Sequence, residues 1–220
     1  LAGFGSVVSV VTALTVAFDT PDKMAEQAAA NRTRPLLRLE LGGDGDVERV
    51  RAVRQAAPAA RIIVDANENW NESQLGEFLP ALIDCRVQLI EQPLPADADD
   101  ALARLASPIP ICADESCWTL ADLDRLDGKY QAINISLGKA GGLTEALALA
   151  AEAKRRGLRI MVGGGTGTSL GIAPALLVAQ QAEFIDLDGP SRLALDRGSG
   201  LRYDGGTIHP ADPKLWGGPG

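Results

Sequence analysis

Short apolar runs recur along this chain at intervals of roughly 25 residues, the length of one strand, one helix and two short loops. They centre near Leu14, Leu39, Ile63, Leu89, Ile111, Ile133, Met161 and Ile185. Strands that alternate with helices lie parallel, because a parallel neighbour needs a long crossover connection. Eight of them at even spacing predict an α/β fold of the TIM-like (β/α)8 type, here (β/α)7β with seven intervening helices. An open doubly wound sheet is the alternative. The barrel is expected over residues 1–190. Residues 191–220 are rich in Gly and Pro and are expected to pack on it as an irregular tail or a short hairpin.

The segments between the runs carry helix signals. In "TPDKMAEQAAAN", Thr20 is a candidate N-cap and Pro21 stands at the first helical position. "DVERVRAVRQAA" puts Val47, Val50 and Val53 on one face. "LTEALALAAEAKRRG" ends in Lys154, Arg155 and Arg156 before Gly157, the chemistry of a helix C-terminus.

The remaining composition excludes some classes. A net charge of −8 argues against nucleic acid as a partner, since phosphate binding needs concentrated Lys and Arg. No apolar stretch is long enough to span a bilayer. The apolar opening lacks the basic leader and processing site of a signal peptide. Cys85, Cys112 and Cys117 are odd in number and lack CxxC spacing, so reduced core thiols and a cytoplasmic location are expected.

Three consecutive runs end in acids: "IIVD" at Asp65, "QLIE" at Glu91 and "ICAD" at Asp114. In a barrel these are strand carboxyl ends, where active-site groups sit. Adjacent strands lie about 4.8 Å apart, so three neighbouring carboxylates repel one another. A divalent cation removes that repulsion, and an all-oxygen set suits Mg²⁺. The alternative is helix N-caps or solvated loop acids. In "INISLGKAGG", Ile133, Ile135, Leu137 and Lys139 share parity. If that parity faces inward, Lys139 reaches the same mouth as a candidate general base; otherwise it is a surface lysine in a Gly-rich loop.

The motifs "VDANENW", "IEQP", "ADES", "NISLGKAGGLTEAL", "SLGIAPA" and "DLDGP", in this order and spacing, resemble the enolase superfamily. The likeness is to its muconate-lactonizing-enzyme subgroup, in particular the dipeptide (L-Ala-D/L-Glu) epimerases. The resemblance implies Mg²⁺ on Asp65, Glu91 and Asp114. It implies removal of a substrate α-proton to give a metal-stabilised enediolate, with Lys139 as one of two acid/base groups. Asp186 and Asp188 resemble the pair that receives a dipeptide ammonium. The lone histidine, His209, is expected to be structural.

Four departures qualify what is implied. Such epimerases carry Lys-x-Lys at the end of the second strand; here "LLRLE" has Arg38 and Glu40, both expected to face inward beside the substrate. Glu40 thus replaces the opposing lysine and is expected to approach Lys139 as an ion pair. Ser136 stands where another lysine is common, and "VGGGTG" suggests a looser wall. Family members also begin with an α+β capping domain, whose end the opening "LAGFGS" resembles. The expectation is a barrel with no N-terminal cap domain, and hence apolar surface around the mouth and under Val7 to Val11. Self-association or a separately supplied cap then joins a small carboxylate or dipeptide substrate as partner, with impaired epimerisation. A one-base lyase or enolising enzyme using Lys139 alone, or a catalytically silent scaffold, is the alternative.

Overall fold

The computed structural model describes residues 6–217; the opening "LAGFG" lies outside them. After β1 (Val10–Val11), eight strands follow: β2 (Leu14–Val16), β3 (Leu36–Glu40), β4 (Arg61–Asp65), β5 (Val87–Glu91), β6 (Ile111–Ala113), β7 (Ala132–Ile135), β8 (Arg159–Gly163) and β9 (Phe184–Asp186). Each expected strand centre falls inside one of them. They pair in chain order, all parallel.

The first and last strands meet, which excludes the open sheet. Ala13 N donates to Ile185 O at 2.7 Å. The buried Thr12 hydroxyl accepts from Leu187 N at 2.9 Å. Thr15 Oγ1 donates to Asp186 Oδ1 and Thr15 N to Asp188 Oδ2, each at 3.2 Å. Side chains therefore supply most of the seam, and the barrel is nearly closed.

One residue from each strand fills the interior: Ala13, Leu36, Ile63, Leu89, Cys112, Ala132, Met161 and Phe184 form a cluster apart from the helix-facing core. Side chains alternate along a strand. Two residues further on, therefore, Thr15, Arg38, Asp65, Glu91, Asp114, Asn134, Gly163 and Asp186 come to the carboxyl-end mouth. On β3 the expected parity holds, with Leu37 and Leu39 in the outer core. On β7 it is reversed. Ile133 and Ile135 belong to the outer core, and Ala132 and Asn134 face in.

The outer layer contains α1 (Pro21–Ala30), α2 (Asp46–Ala56), α3 (Glu72–Asp84), α4 (Leu137–Ala140), α5 (Leu143–Arg155), α6 (Ser169–Ile172) and α7 (Ala175–Ala179). Thr20 caps α1 by accepting from Lys23 N. Val50 and Val53 are buried and Val47 packs beside them. The expectation of a helix in all seven connections is corrected: after β5 and β6 the chain makes only 3₁₀ turns, at Asp100–Arg104 and Leu120–Arg125. Pro108 and Pro110 forbid a longer helix before β6. Before β7 the buried Leu123 and Leu126 are spaced by three, the repeat of a 3₁₀ turn.

The tail forms a hairpin, β10 (Tyr203–Asp204) and β11 (Thr207–Ile208), that adds β1 as a third antiparallel strand. Its two-residue turn is Gly205-Gly206, both at positive φ, as a primed turn requires. Gly206 O accepts from Thr12 N and Tyr203 OH donates to Leu187 O, so the hairpin covers the seam. His209 lies in this tail, Nδ1 3.1 Å from Ser9 Oγ, a structural placement. Val8 and Val11 are exposed, as are Phe18 and Trp118 beyond the carboxyl ends of β2 and β6. All three cysteines are free and buried. No helix among the described residues is long and apolar enough to cross a membrane.

Replacing Thr12 with the isosteric Val removes the acceptor of Leu187 N–H in a fully buried position. The expected loss is about 1–3 kcal/mol in urea unfolding, at unchanged m-value. A variant as stable as the parent would show that the seam does not depend on this hydroxyl.

Candidate active site at the barrel mouth

Strand register brings the acids together. Glu40 is the Cα partner of Asp65, and Asp65 of Glu91. Glu91 in turn pairs with Cys112, which puts Asp114 one inward position higher. Asp65 and Glu91 are almost wholly buried, where a lone carboxylate is costly.

Two cations on neighbouring elements compensate. Arg38, pointing in from β3, donates from Nε to Glu91 Oε2 at 2.8 Å and from Nη2 to Asp65 Oδ2, and its Nε lies 3.7 Å from Asp186 Oδ2. Burial opposes the guanidinium charge, but Glu91, Asp65 and Asp186 outweigh it and hold Arg38 firmly protonated. Lys139 bonds Asp114 Oδ1, Asp114 O at 2.8 Å and Asn134 O at 3.1 Å. It arrives by a route the strand pattern did not indicate: the chain turns at Ser136 into the one-turn α4, which swings Lys139 back over the mouth.

Compensation is incomplete. Burial, and next the charge of Glu91, push both Asp65 and Asp114 above the usual carboxylate range against the pull of Arg38 and Lys139. Burial with Asp114 nearby lifts Glu115 to about 7. Six acids (Glu40, Asp65, Glu91, Asp114, Asp186, Asp188) face three cations (Arg38, Lys139, Arg192), so three formal negative charges remain. Three buried oxygens among the described residues, Glu115 Oε2, Asn134 Oδ1 and Asp188 Oδ1, lack a hydrogen-bond partner. The donor chemistry and the charge excess fit a hard divalent cation. As the side chains stand, no three ligand groups among the described residues converge on an ion, because Arg38 and Lys139 hold the oxygens that would bind it.

Three residues that the sequence reading passed over build the site. Asn134 donates to Glu91 Oε1 at 2.5 Å; the single amide in "AINIS" was its signal, hidden by the wrong parity. Gln92 turns outward from the end of β5 at φ 31°, and its Oε1 accepts from Asp114 N at 2.8 Å and Ser116 N at 3.1 Å. Its Nε2 meets Leu94 O and Ser116 Oγ, tying the acid-bearing loops to a buried Ser116–Tyr130–Asp99 network. Arg192 lies 2.9 Å from Asp188 Oδ1, though without hydrogen-bond alignment. Strained backbone concentrates here as well: Asn67 and Glu68 both have positive φ, held by Asn67 N to Asp65 Oδ1 and Glu68 N to Gln92 O.

The mouth encloses a cleft of ≈ 310 Å³ bordered by Arg38, Glu40, Asp114, Asn134, Lys139 and Asp186. The expected Glu40–Lys139 ion pair is absent. Lys139 is taken by Asp114, whose backbone and side chain both offer acceptors, and among the described residues Glu40 meets only Arg38, at 4.0 Å. Of the expected ammonium-binding pair, Asp186 borders the cleft, whereas Asp188 is buried in the seam between Thr15 N and Arg192. The expectation of a loose glycine wall is corrected at Gly163, whereas at Gly165 and Gly171 an added Cβ would meet nothing within 4 Å; Gly189, outside that run, is also tightly packed. A Cβ on Gly163 would come within 2.7 Å of the Asn134 amide, and one on Gly189 within 2.5 Å of Gly165 O. These glycines are required by close approach.

Burial raises Asp186 from 3.8 to about 7, with Arg38 opposing and Asp188 adding to the shift. The fold thus favours the neutral acid. The stability this group contributes is complete below about pH 4 and lost as the pH rises through about 7. Asp186→Asn should exceed the parent by about 1–3 kcal/mol near pH 8 and match it near pH 4, in urea unfolding at each pH. A variant less stable at the higher pH would mean that ionised Asp186 anchors Arg38 instead.

Comparison with known proteins places this geometry. Residues 23–213 match the family model "Enolase C-terminal domain-like". The chain is 46% identical over 208 residues to an N-acetyl-D-glutamate racemase of Pseudoalteromonas sp., covering 94% of this chain and 66% of that protein. It is 45% identical over 203 residues to the L-Ala-D/L-Glu epimerase of Escherichia coli K12, covering 91% and 63%. It thus spans somewhat less than two thirds of each relative's length. Among solved structures, an enolase family member from Agrobacterium tumefaciens with homology to dipeptide epimerases, with bound sodium and L-Ala-L-Glu, superposes with TM-score 0.96. That pair shares 52% identity over 98% of this chain and 66% of that one. The dipeptide epimerase of Cytophaga hutchinsonii, complexed with Mg and D-Ala-L-Val, superposes with TM-score 0.89 at 31% identity, covering 95% and 61%. By a family match over most of its length and relatives at this identity, the chain belongs to the enolase superfamily, in its enolase C-terminal domain-like family.

Proposed function

We propose that the chain is the barrel of a metal-dependent epimerase that removes and returns the α-proton of a dipeptide. The observation that carries this reading is the gathering of Asp65, Glu91, Asp114, Lys139 and Asp186 around one mouth. Asp65, Glu91 and Asp114 would hold Mg²⁺ once Arg38 and Lys139 turn away from their oxygens. The bound ion supplies positive charge against the negative charge that develops on the substrate carboxylate as the α-proton leaves.

The chain's own groups do the rest. Lys139 spends its three donors on Asp114 and Asn134; once released from Asp114 and having given one proton to solvent, its neutral amine can take the α-proton. Arg38, drawn back from Asp65 and Glu91, faces the substrate carboxylate with a fork suited to it. Asp186 receives the dipeptide ammonium, which stabilises its ionised form, while Asp188 and Arg192 brace the wall behind. This favours a dipeptide over an N-acylated amino acid, which has no ammonium to offer. The exposed Phe18 and Trp118 give a covering segment or a second copy an apolar rim.

Inversion needs an acid and a base on opposite faces of the α-carbon. Glu40 occupies the second-strand position and adds a negative charge that repels a substrate carboxylate, so epimerisation is impaired. A second reading, one-base exchange by Lys139 with retained configuration, is favoured by Lys139 being the only amine on the cleft among the described residues.

Calorimetry with Mg²⁺ should give saturable binding, weakened about tenfold or more in Asp114→Asn and in Glu91→Gln. Affinity unchanged in both would remove the metal site from these residues. NMR of L-Ala-L-Glu in D₂O tests the proton chemistry. The parent is expected to show negligible inversion, Glu40→Lys to gain it, and Lys139→Ala to lose α-deuteration by about 10²–10⁴-fold. Deuteration without inversion in parent and Glu40→Lys alike would select the one-base reading. Metal binding with no exchange in either would leave a silent barrel.

A further inference from the structure

The opposite end of the barrel carries an opposite charge. Arg54 in the last turn of α2, Arg61 at the start of β4 and Arg86 in the turn before β5 border one pocket of ≈ 190 Å³ with Pro58, Ala60 and Gln88. Arginines in a chain of net charge −8 would ordinarily find carboxylates. None of these three has one within ion-pair distance among the described residues. The acid nearest in sequence, Asp84, does not reach them, and Glu183 is committed to Arg159.

Neutral groups fix the three side chains in place. Arg54 donates from Nε to Cys85 O at 2.8 Å and from Nη1 to Ala60 O at 2.7 Å, with Ala57 O and Pro58 O each at 3.2 Å. Arg86 Nη2 donates to Pro58 O at 3.1 Å. Arg61 donates from Nε to Gln88 Oε1 at 2.7 Å, and its guanidinium lies 5.0 Å from the Phe184 ring centroid. Carbonyls and a ring orient these guanidinium groups but do not cancel their charge. Burial, and then the nearby Arg86, hold Arg54 below its ordinary range, so the like-charge repulsion is unrelieved. Arg54 Nη2, Arg86 Nη1, both Arg61 Nη groups and the Gln88 amide N–H groups retain donors with no acceptor among the described residues.

We propose that this pocket at the amino-terminal face of the barrel binds a tetrahedral oxyanion, a phosphate or phosphate monoester. A dianion with four oxygens matches several fixed forks that converge from separate elements. A carboxylate has too few oxygens to meet all three. Chloride offers no directed acceptors. The acid-rich mouth repels the same ligand, so the two ends are electrostatically distinct and this site is independent of the proposed epimerase chemistry.

The test is calorimetry of the whole chain with inorganic phosphate and with a simple alkyl phosphate, at constant ionic strength in a zwitterionic buffer. One-site saturable binding is expected for at least one of them, and tighter binding of the ester would identify a phosphate monoester as the natural ligand. Arg86→Gln, at an exposed position, should weaken it about tenfold or more. Arg86→Lys, which keeps the charge and loses the fork, should fall between. Arg61→Gln gives a second, independent variant, while Arg54 is left intact because it holds four carbonyls. Mg²⁺ binding at the mouth should be unchanged in these variants, which shows that they fold. No saturable binding of either ligand, or binding retained in both Arg86→Gln and Arg61→Gln but lost in Arg192→Gln, would overturn the proposal.

Discussion

Carboxylates on adjacent parallel strands repel, and the mouth of this barrel is organised around that repulsion. At strand spacing, two buried like charges cost about 3–4 kcal/mol even at a moderate effective dielectric. Asp65, Glu91 and Asp114 cannot sit at neighbouring strand ends without positive charge between them. Arg38 and Lys139 provide it from β3 and from the turn after β7. The same oxygens have the chemistry that suits a hard cation, so a metal ion bound there would compete with the side-chain cations for one set of acceptors. On the proposed reading, turning the acids from a paired cluster into a metal site would require Arg38 and Lys139 to move off their oxygens.

The frame must be stiff for that exchange to be local. Gln92 contributes by holding Asp114 and Ser116 through their backbone N–H groups, which sets the height of the third acid. Asn134 fixes Glu91 across the barrel mouth from β7, two strands along, and the missing side chain at Gly163 makes room for it. At the seam, Thr12 and Thr15 join β2 to β9 where backbone pairing is sparse, and this places Asp186 beside Arg38. Each of these contacts links two strands, so the positions of the acids depend on groups that take no part in chemistry.

Charge is divided along the barrel axis. Acids gather where strands end, and unpaired arginines gather where they begin. The division has a local cause at each end. Carbonyls of the loops after α2 and α3 need donors, and arginine satisfies several at once. Strand carboxyl ends offer inward positions to short acids. The solved relatives superpose on this barrel, and a fold of this kind hosts many chemistries. In the present mouth the Arg38–Leu39–Glu40 segment brings one cation and one acid.

The barrel was legible in the sequence because its rules are periodic. Strand spacing, the alternation that turns Arg38, Asp65, Glu91 and Asp114 inward, the Thr20 cap and the helical face of Val50 and Val53 follow from local pattern alone. The same logic failed at β7. Ile133 and Ile135 are as apolar as an interior strand needs, and only the helix layer packed against them shows that they face out. Lys139 therefore reached the mouth through the turn of α4, a route that no strand parity encodes. The two 3₁₀ crossovers were missed because helix length depends on the space left between neighbours as well as on propensity. Which cation each acid takes was equally beyond the sequence. Lys139 could have met Glu40, and Arg38 could have paired closely with it, but distances set by register and by the β7–α4 turn gave Lys139 to Asp114 and Arg38 chiefly to Asp65 and Glu91, with Glu40 at 4.0 Å. Residue identity and period determined which groups line the mouth; the closing of the barrel, which sets distances between residues far apart in the chain, decided which of them touch.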